Sequence, residues 1–190
     1  ARSIPEVGQS FTFHGFRYVE VTGLPSAPKL EDVLGCVVHT DCESAGEFTC
    51  DNELINRILQ VSAWTLRCLN LGDYMVDCPH RERMGYGDGQ SAIDAHVMTR
   101  NAAAFYGKWA VDWLDDQEPT TGKSGQYVPK NIDDPSCWFS WGGMVDVMPW
   151  KAYVYYGDRR ILQRAYEPMV RYPSLYIESF YKDGVHRTGG

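Results

Sequence analysis

The chain has 190 residues, a formal charge of -7, 44% apolar residues and 13% aromatics. That length bounds it to one domain or one and a fraction, with enough apolar side chain for a sizeable core. The acidity argues against nucleic acid and anionic membranes as partners, and no stretch has the length of a membrane span. Six cysteines (Cys36, Cys42, Cys50, Cys68, Cys78 and Cys137) form neither a CxxC pair nor a zinc-finger spacing, so free thiols and no metal site are expected.

Residues 10–22 alternate through Phe11, Phe13, Phe16, Tyr18, Val19 and Val21, with Gly15 between. The pattern predicts two short strands, or one strand bent at the glycine. Residues 24–32 carry two prolines and read as a loop, and the β-branched run 33–40 reads as a buried strand. Residues 1–50 therefore read as the trailing strands of a β-sandwich domain, closed near Phe48.

At Asp51, a plausible N-cap, the period changes. Leu54, Ile55, Ile58, Leu59, Ser62, Leu66 and Leu69 recur at helical spacing. A second helix is predicted over 91–114 through Ile93, Val97, Ala104, Trp109 and Trp113. Residues 118–141, rich in Gly, Pro, Asp and Ser, read as a long irregular connection, a kind that is uncommon unless functional or mobile. Residues 144–156 and 159–181 read as helices that Pro149 and Pro168 should kink or start, and Gly157 fits a C-cap between them. About four helices joined this way leave a face of each uncovered. The fold class is mainly α with an N-terminal β segment, and 51–190 fits the first part of a helical barrel better than a finished bundle.

Between the first two helices lies the run Asp77-Cys78-Pro79-His80-Arg81-Glu82-Arg83-Met84-Gly85-Tyr86-Gly87-Asp88-Gly89-Gln90. Pro79 and the glycines exclude a regular helix there, and the density of charge excludes an interior connection. A charged, glycine-shaped loop held between apolar helices is a common build for a site. Glu82 can donate a proton, Asp77 and Asp88 can accept from hydroxyls, Arg81 or Arg83 offers a planar fork of donors, and Tyr86 an amphipathic ring. That combination suits a neutral, hydroxyl-rich ligand such as a sugar; a solvated turn with local ion pairs is the plainer alternative.

The run resembles the signature of bacterial α-L-rhamnosidases of glycoside hydrolase family 78, whose common form reads D-C-P-Q-R-x-E-R-x-G-W-x-G-D. The likeness extends upstream to Phe13-His14-Gly15-Phe16-Arg17-Tyr18-Val19-Glu20-Val21 and Val37-Val38-His39-Thr40-Asp41. Downstream it extends to Trp141-Gly142-Gly143-Met144, Pro149-Trp150 and Tyr156-Gly157-Asp158. It covers nearly the whole chain in the family's order. The resemblance implies a partial (α/α)6 barrel preceded by β-sandwich domains, no cofactor, a rhamnoside as carbohydrate partner, and hydrolysis of terminal α-L-rhamnosides with inversion. It implies Glu82 as general acid, with the base beyond Gly190, and Asp77, Arg81 and Asp88 as holders of rhamnose hydroxyls. Tyr86, where the common form has Trp, becomes a smaller aromatic wall, and Trp141 a stacking platform.

The chain departs from the common form in lacking one residue between Arg81 and Glu82 and one before Asp88. Structural roles stay open beside these: Glu82 as an ion-pair partner of its arginines, Asp88 as a loop brace, Trp141 in a core with Trp138 and Trp150, and His80 as a structural loop histidine. An acid working near neutral pH needs apolar surroundings or a nearby carboxylate. At least one of Arg81 and Arg83 is therefore expected to turn aside toward Asp77 or Asp88. Asp112, Asp115 and Asp116 read as a solvated face rather than a metal site. The His80-Arg81-Glu82 triplet is no kinase loop, because glutamate stands for aspartate and residue 87 is Gly. A non-catalytic sugar-binding fragment and a helical-barrel glycosidase of other specificity remain the alternatives, with compartment and oligomeric state left open.

Overall fold

The computed structural model describes residues 14–76, 85, 87–129, 139–182 and 185–186. Residues 14–50 are mostly irregular and exposed, with a 3-10 turn at Leu30–Asp32. Among the described residues they form one isolated bridge, Ser44 with Arg100, and no ladder. The run 33–40 is thus no buried strand: Val33, Leu34, Val37 and Val38 are all exposed. Apolar strand faces stay uncovered without neighbouring strands to pair and pack with.

Helix α1 (Glu53–Leu69) starts one residue later than Asp51 suggests. Asn52 is the cap, its side chain accepting from the Leu54 and Ile55 amides at 3.0 and 3.4 Å. Leu66 faces the core, while Leu54, Ile55, Ile58, Val61 and Trp64 are exposed. A two-residue hairpin follows, β1 (Asn70–Leu71) against β2 (Tyr74–Met75), in the register Asn70↔Met75 and Leu71↔Tyr74. Gly72 and Asp73 both have φ of 64°, the pair of left-handed residues that matches the twist of such a turn.

The single helix expected over 91–114 is two: α2 (Gly89–Thr99) and α3 (Ala103–Asp116). The break has distant causes. The Asn101 amide donates to Glu43 O at 2.8 Å, and the Thr99 carbonyl accepts from Ala45 N at 3.1 Å. The Ala102 amide donates to the Tyr156 hydroxyl at 3.1 Å. Gly89 and Gln90, read as part of a loop, form the first turn of α2.

Helix α3 is the spine of the core. Phe105, Tyr106, Trp109, Ala110 and Trp113 follow helical spacing and are buried. They meet Met144, Val145, Met148 and Ala152 of α5 (Met144–Tyr156), and Ile161, Ala165 and Tyr172 of α6 (Arg159–Phe180), in one cluster. The four-residue α4 (Phe139–Gly142) leads into α5. Pro149 lies inside α5, and both Pro168 and Pro173 lie inside α6. Gly157 ends α5 at φ 69°, its amide donating to Tyr153 O at 2.8 Å, as a left-handed C-cap should. A last antiparallel pair joins β3 (Tyr181–Lys182) to β4 (Val185–His186).

Among the described residues no helix is long and apolar enough to cross a membrane. Cys36, Cys42, Cys50 and Cys68 are free thiols, and Cys78 and Cys137 lie outside the described residues.

Candidate active site

The signature run leaves β2 at Val76 and returns at Gly85. From there it is clasped by the segment that follows α3. The Gly85 amide donates to Pro129 O at 3.1 Å, and its carbonyl accepts from Val128 N at 3.0 Å. The Gly87 amide donates to Gln126 O at 3.2 Å. The buried Trp109 supports this clasp from below, its Nε1 donating to Val128 O at 2.6 Å. The connection after Gln117 is irregular, as expected, and its inner edge builds the site wall.

Close approach explains the glycines. A Cβ on Gly85 would overlap the Val128 carbonyl, and one on Gly89 would lie 2.6 Å from the Trp109 ring. A Cβ on Gly87 would lie 2.6 Å from both Cα and Cβ of Trp141. Only a residue without a side chain lets these backbones meet.

The structure thereby joins two of the sequence-derived site residues, Asp88 and Trp141, through Gly87. Asp88 is half-buried at the start of α2, and its carboxylate caps none of that helix's amides. Ser91 Oγ donates instead to the Asp88 carbonyl at 2.7 Å. Trp141 is half-buried in α4. Gln90 Nε2 donates to Ser140 O at 2.6 Å, tying α2 to the turn that carries the tryptophan. Asp77, Arg81, Glu82 and Tyr86, with His80, Arg83 and Trp138, lie outside the described residues.

One group escaped the sequence reading. Asp146, in the first turn of α5, has Oδ1 buried with no hydrogen-bond partner, and burial pushes its carboxyl up to about 7. A lone acid in the run Met144-Val145-Asp146-Val147-Met148 was the available signal. The acids of α3 are engaged in fixing elements. Asp112 pairs with Lys108 at 2.6 Å, Asp115 with Arg164 at 2.8 Å, and Asp116 Oδ2 accepts from the Gly125 amide at 3.0 Å. Trp150 is exposed.

Comparison with known proteins gives two family matches: residues 43–187 to the bacterial alpha-L-rhamnosidase 6 hairpin glycosidase domain, and residues 3–39 to the bacterial alpha-L-rhamnosidase concanavalin-like domain. An alpha-L-rhamnosidase of Streptomyces avermitilis is 35% identical over 179 residues, covering 93% of this chain and 17% of that protein. One of Formosa agariphila is 28% identical over 189 residues, covering 94% and 20%. The chain thus spans about a fifth of the length of these curated relatives. Among solved structures, an alpha-L-rhamnosidase from Dictyoglumus thermophilum superposes with a TM-score of 0.73 at 31% identity, over 83% of this chain and 18% of that one. The Streptomyces avermitilis enzyme complexed with L-rhamnose gives 0.70 at 26% identity, over 80% and 15%. The mainly helical fold is that of a partial helical barrel.

Proposed function

This chain belongs to the bacterial α-L-rhamnosidases, and from that membership we propose that it supplies the acid-donating and sugar-holding part of an enzyme removing terminal α-L-rhamnose. Residues 1–50 are the end of a β-sandwich domain, and 51–190 the N-terminal part of an (α/α)6-barrel catalytic domain. The observation that carries this reading is the Gly87 contact, which sets Asp88 beside Trp141 within the segment matched to the glycosidase domain.

Glu82 is the general acid. Its proton passes to the glycosidic oxygen as the bond to the anomeric carbon breaks. A water on the opposite face of the ring adds to that carbon, giving its proton to a carboxylate base beyond Gly190. Such an inverting pair stands about 6.5–9.5 Å apart, room enough for the water. Asp77, Arg81 and Asp88 hold the hydroxyls, Trp141 stacks on the apolar face of the sugar, and Tyr86 closes the wall. The packing of Gly87, the residue before Asp88, against Trp141 of α4 supports the two binding roles.

The test is Glu82→Gln in the full-length enzyme. General acid catalysis typically contributes about 10²–10⁴-fold, so kcat falls by that order on natural rhamnosides. The loss shrinks on an activated aryl rhamnoside, whose leaving group needs little protonation. Asp77→Asn weakens both substrates alike. An equal loss on both substrates for Glu82→Gln would make Glu82 a binder, and release of the retained anomer first would refute inversion.

A further inference from the structure

We propose that Gln90 is a positioning residue for sugar binding: it fixes the pitch of Trp141 against Asp88, and the inference rests on the rhamnoside reading above. Asp88 immediately precedes α2 and Trp141 lies in α4, so their relative placement must be enforced by something that crosses between the two elements. Trp141 sits in a helix of one turn, α4. A single turn has too few internal hydrogen bonds to hold itself.

Two side chains from neighbouring helices hold it, on successive carbonyls. Gln90 Nε2, from the first turn of α2, donates to Ser140 O at 2.6 Å. Tyr172 Oη, from α6, donates to Phe139 O at 2.9 Å, and that carbonyl also accepts the Gly143 amide at 2.9 Å. The Tyr172 ring lies parallel to the Phe139 ring, centroids 5.6 Å apart and planes 2° apart. Its hydroxyl would be 2.4 Å from a Cβ on Gly142, so this side admits no sliding. Tyr172 is fully buried and anchors α4 to the core. The Gln90 amide is the other hold, and it ties the tryptophan's turn to the first turn of α2, which Asp88 immediately precedes. Loss of that donor frees α4 to tilt about its Tyr172 anchor, moving the stacking face off the hydroxyl-binding edge while the core stays intact.

The experiment is a titration of the full-length enzyme with L-rhamnose, read by tryptophan fluorescence, beside steady-state rates on a rhamnoside. Gln90→Leu removes the donor at nearly constant volume. A hydrogen bond is worth about 0.5–1.5 kcal/mol net, so affinity falls about 3–10-fold. KM rises by the same factor and kcat changes little. Gln90→Glu adds a readout that packing alone would not move. Its carboxylate repels the Ser140 carbonyl at pH 8, whereas the acid, protonated as pH falls through the ordinary glutamate value of about 4.3, donates to it. Affinity is therefore weak at pH 8 and recovers as pH falls toward about 4 relative to the wild type, and this variant carries the test if Gln90→Leu fails to fold. Wild-type affinity in Gln90→Leu, or a Gln90→Glu to wild-type affinity ratio that stays flat with pH, would overturn the clamp alone. A wild-type enzyme that ignores rhamnose would overturn the rhamnoside reading, and the clamp with it.

Discussion

Gly87 and Trp141 meet backbone to backbone: a Cβ on Gly87 would stand 2.6 Å from the tryptophan Cα. Nothing flexible lies between them to give way. Gly87→Ala must push α4 from α2, at the cost of about 1–3 kcal/mol that overpacking brings. Gly107, inside α3, is the control, because nothing lies within 4 Å of a Cβ there. Gly107→Ala should stabilise by about 0.5–1 kcal/mol through helix propensity. Urea denaturation of both variants checks the pair; a neutral Gly87→Ala would mean that the two backbones do not touch in solution.

His96 sets an acid limit on stability. It is fully buried between Asn70 Nδ2, 2.7 Å from Nε2, and the Tyr106 hydroxyl, 3.0 Å from Nδ1. With the amide donating to Nε2, the neutral ring carries its proton on Nδ1. A second proton would face the Asn70 amide donor. Burial, assisted by Arg100, lowers the imidazole from 6.5 to about 4. A group depressed on folding contributes its stability above the unfolded value and loses it as pH falls. The chain should therefore weaken from about pH 6.5 down to about pH 4, by up to roughly 3 kcal/mol. His96→Gln, which keeps a polar side chain without an ionising ring, should flatten that slope in thermal melts taken across the range.

Asp146 works in the opposite direction. Burial raises its carboxyl from 3.8 to about 7. The folded state therefore favours the protonated form. Its contribution is fully present below pH 3.8 and is lost as pH rises to about 7. Asp146→Asn, which cannot ionise, should match the wild type near pH 4. It should exceed the wild type at pH 8 by about 1–3 kcal/mol, the cost of a poorly solvated charge. A constant offset between the two proteins at both pH values would show that Asp146 ionises as freely folded as unfolded.

Local pattern carried the helices, and long-range contacts decided where they stop. The 3.6-residue period of Leu54 to Leu69 and of Trp109 to Trp113 is legible because it is local; in α3 it records a buried stripe, whereas in α1 only Leu66 is buried. The break between Thr99 and Ala103 is not, because it depends on Glu43, Ala45 and Tyr156 capturing backbone groups from afar. The site divides along the same line. Asp88 and Trp141 are recognisable by type and by family resemblance. The glycines between and around them read as helix breakers, although Gly89 starts a helix and its real constraint is the Trp109 ring. Gln90 and Tyr172 carry no motif of their own, since their role lies in the carbonyls they reach.

Trp109 is where core and site share one side chain. Its ring sits under Gly89, and its Nε1 donates to Val128 O, the residue whose amide pairs with Gly85 at 3.0 Å. Trp109→Phe would keep an aromatic in the core but leave that carbonyl without its indole donor. An abandoned buried acceptor costs about 1–3 kcal/mol, and the smaller ring adds a cavity. The damage should spread unevenly. Hydrogen exchange should quicken first at the Val128 and Gly85 amides, while the α5–α6 contacts around Ala165 keep their protection. In the full-length enzyme, slackening at Gly85 should reach Glu82, three residues earlier in the chain, and lower kcat more than it raises KM. Uniform loss of protection across α3, α5 and α6 would instead make Trp109 a core residue alone, with no privileged hold on the signature run.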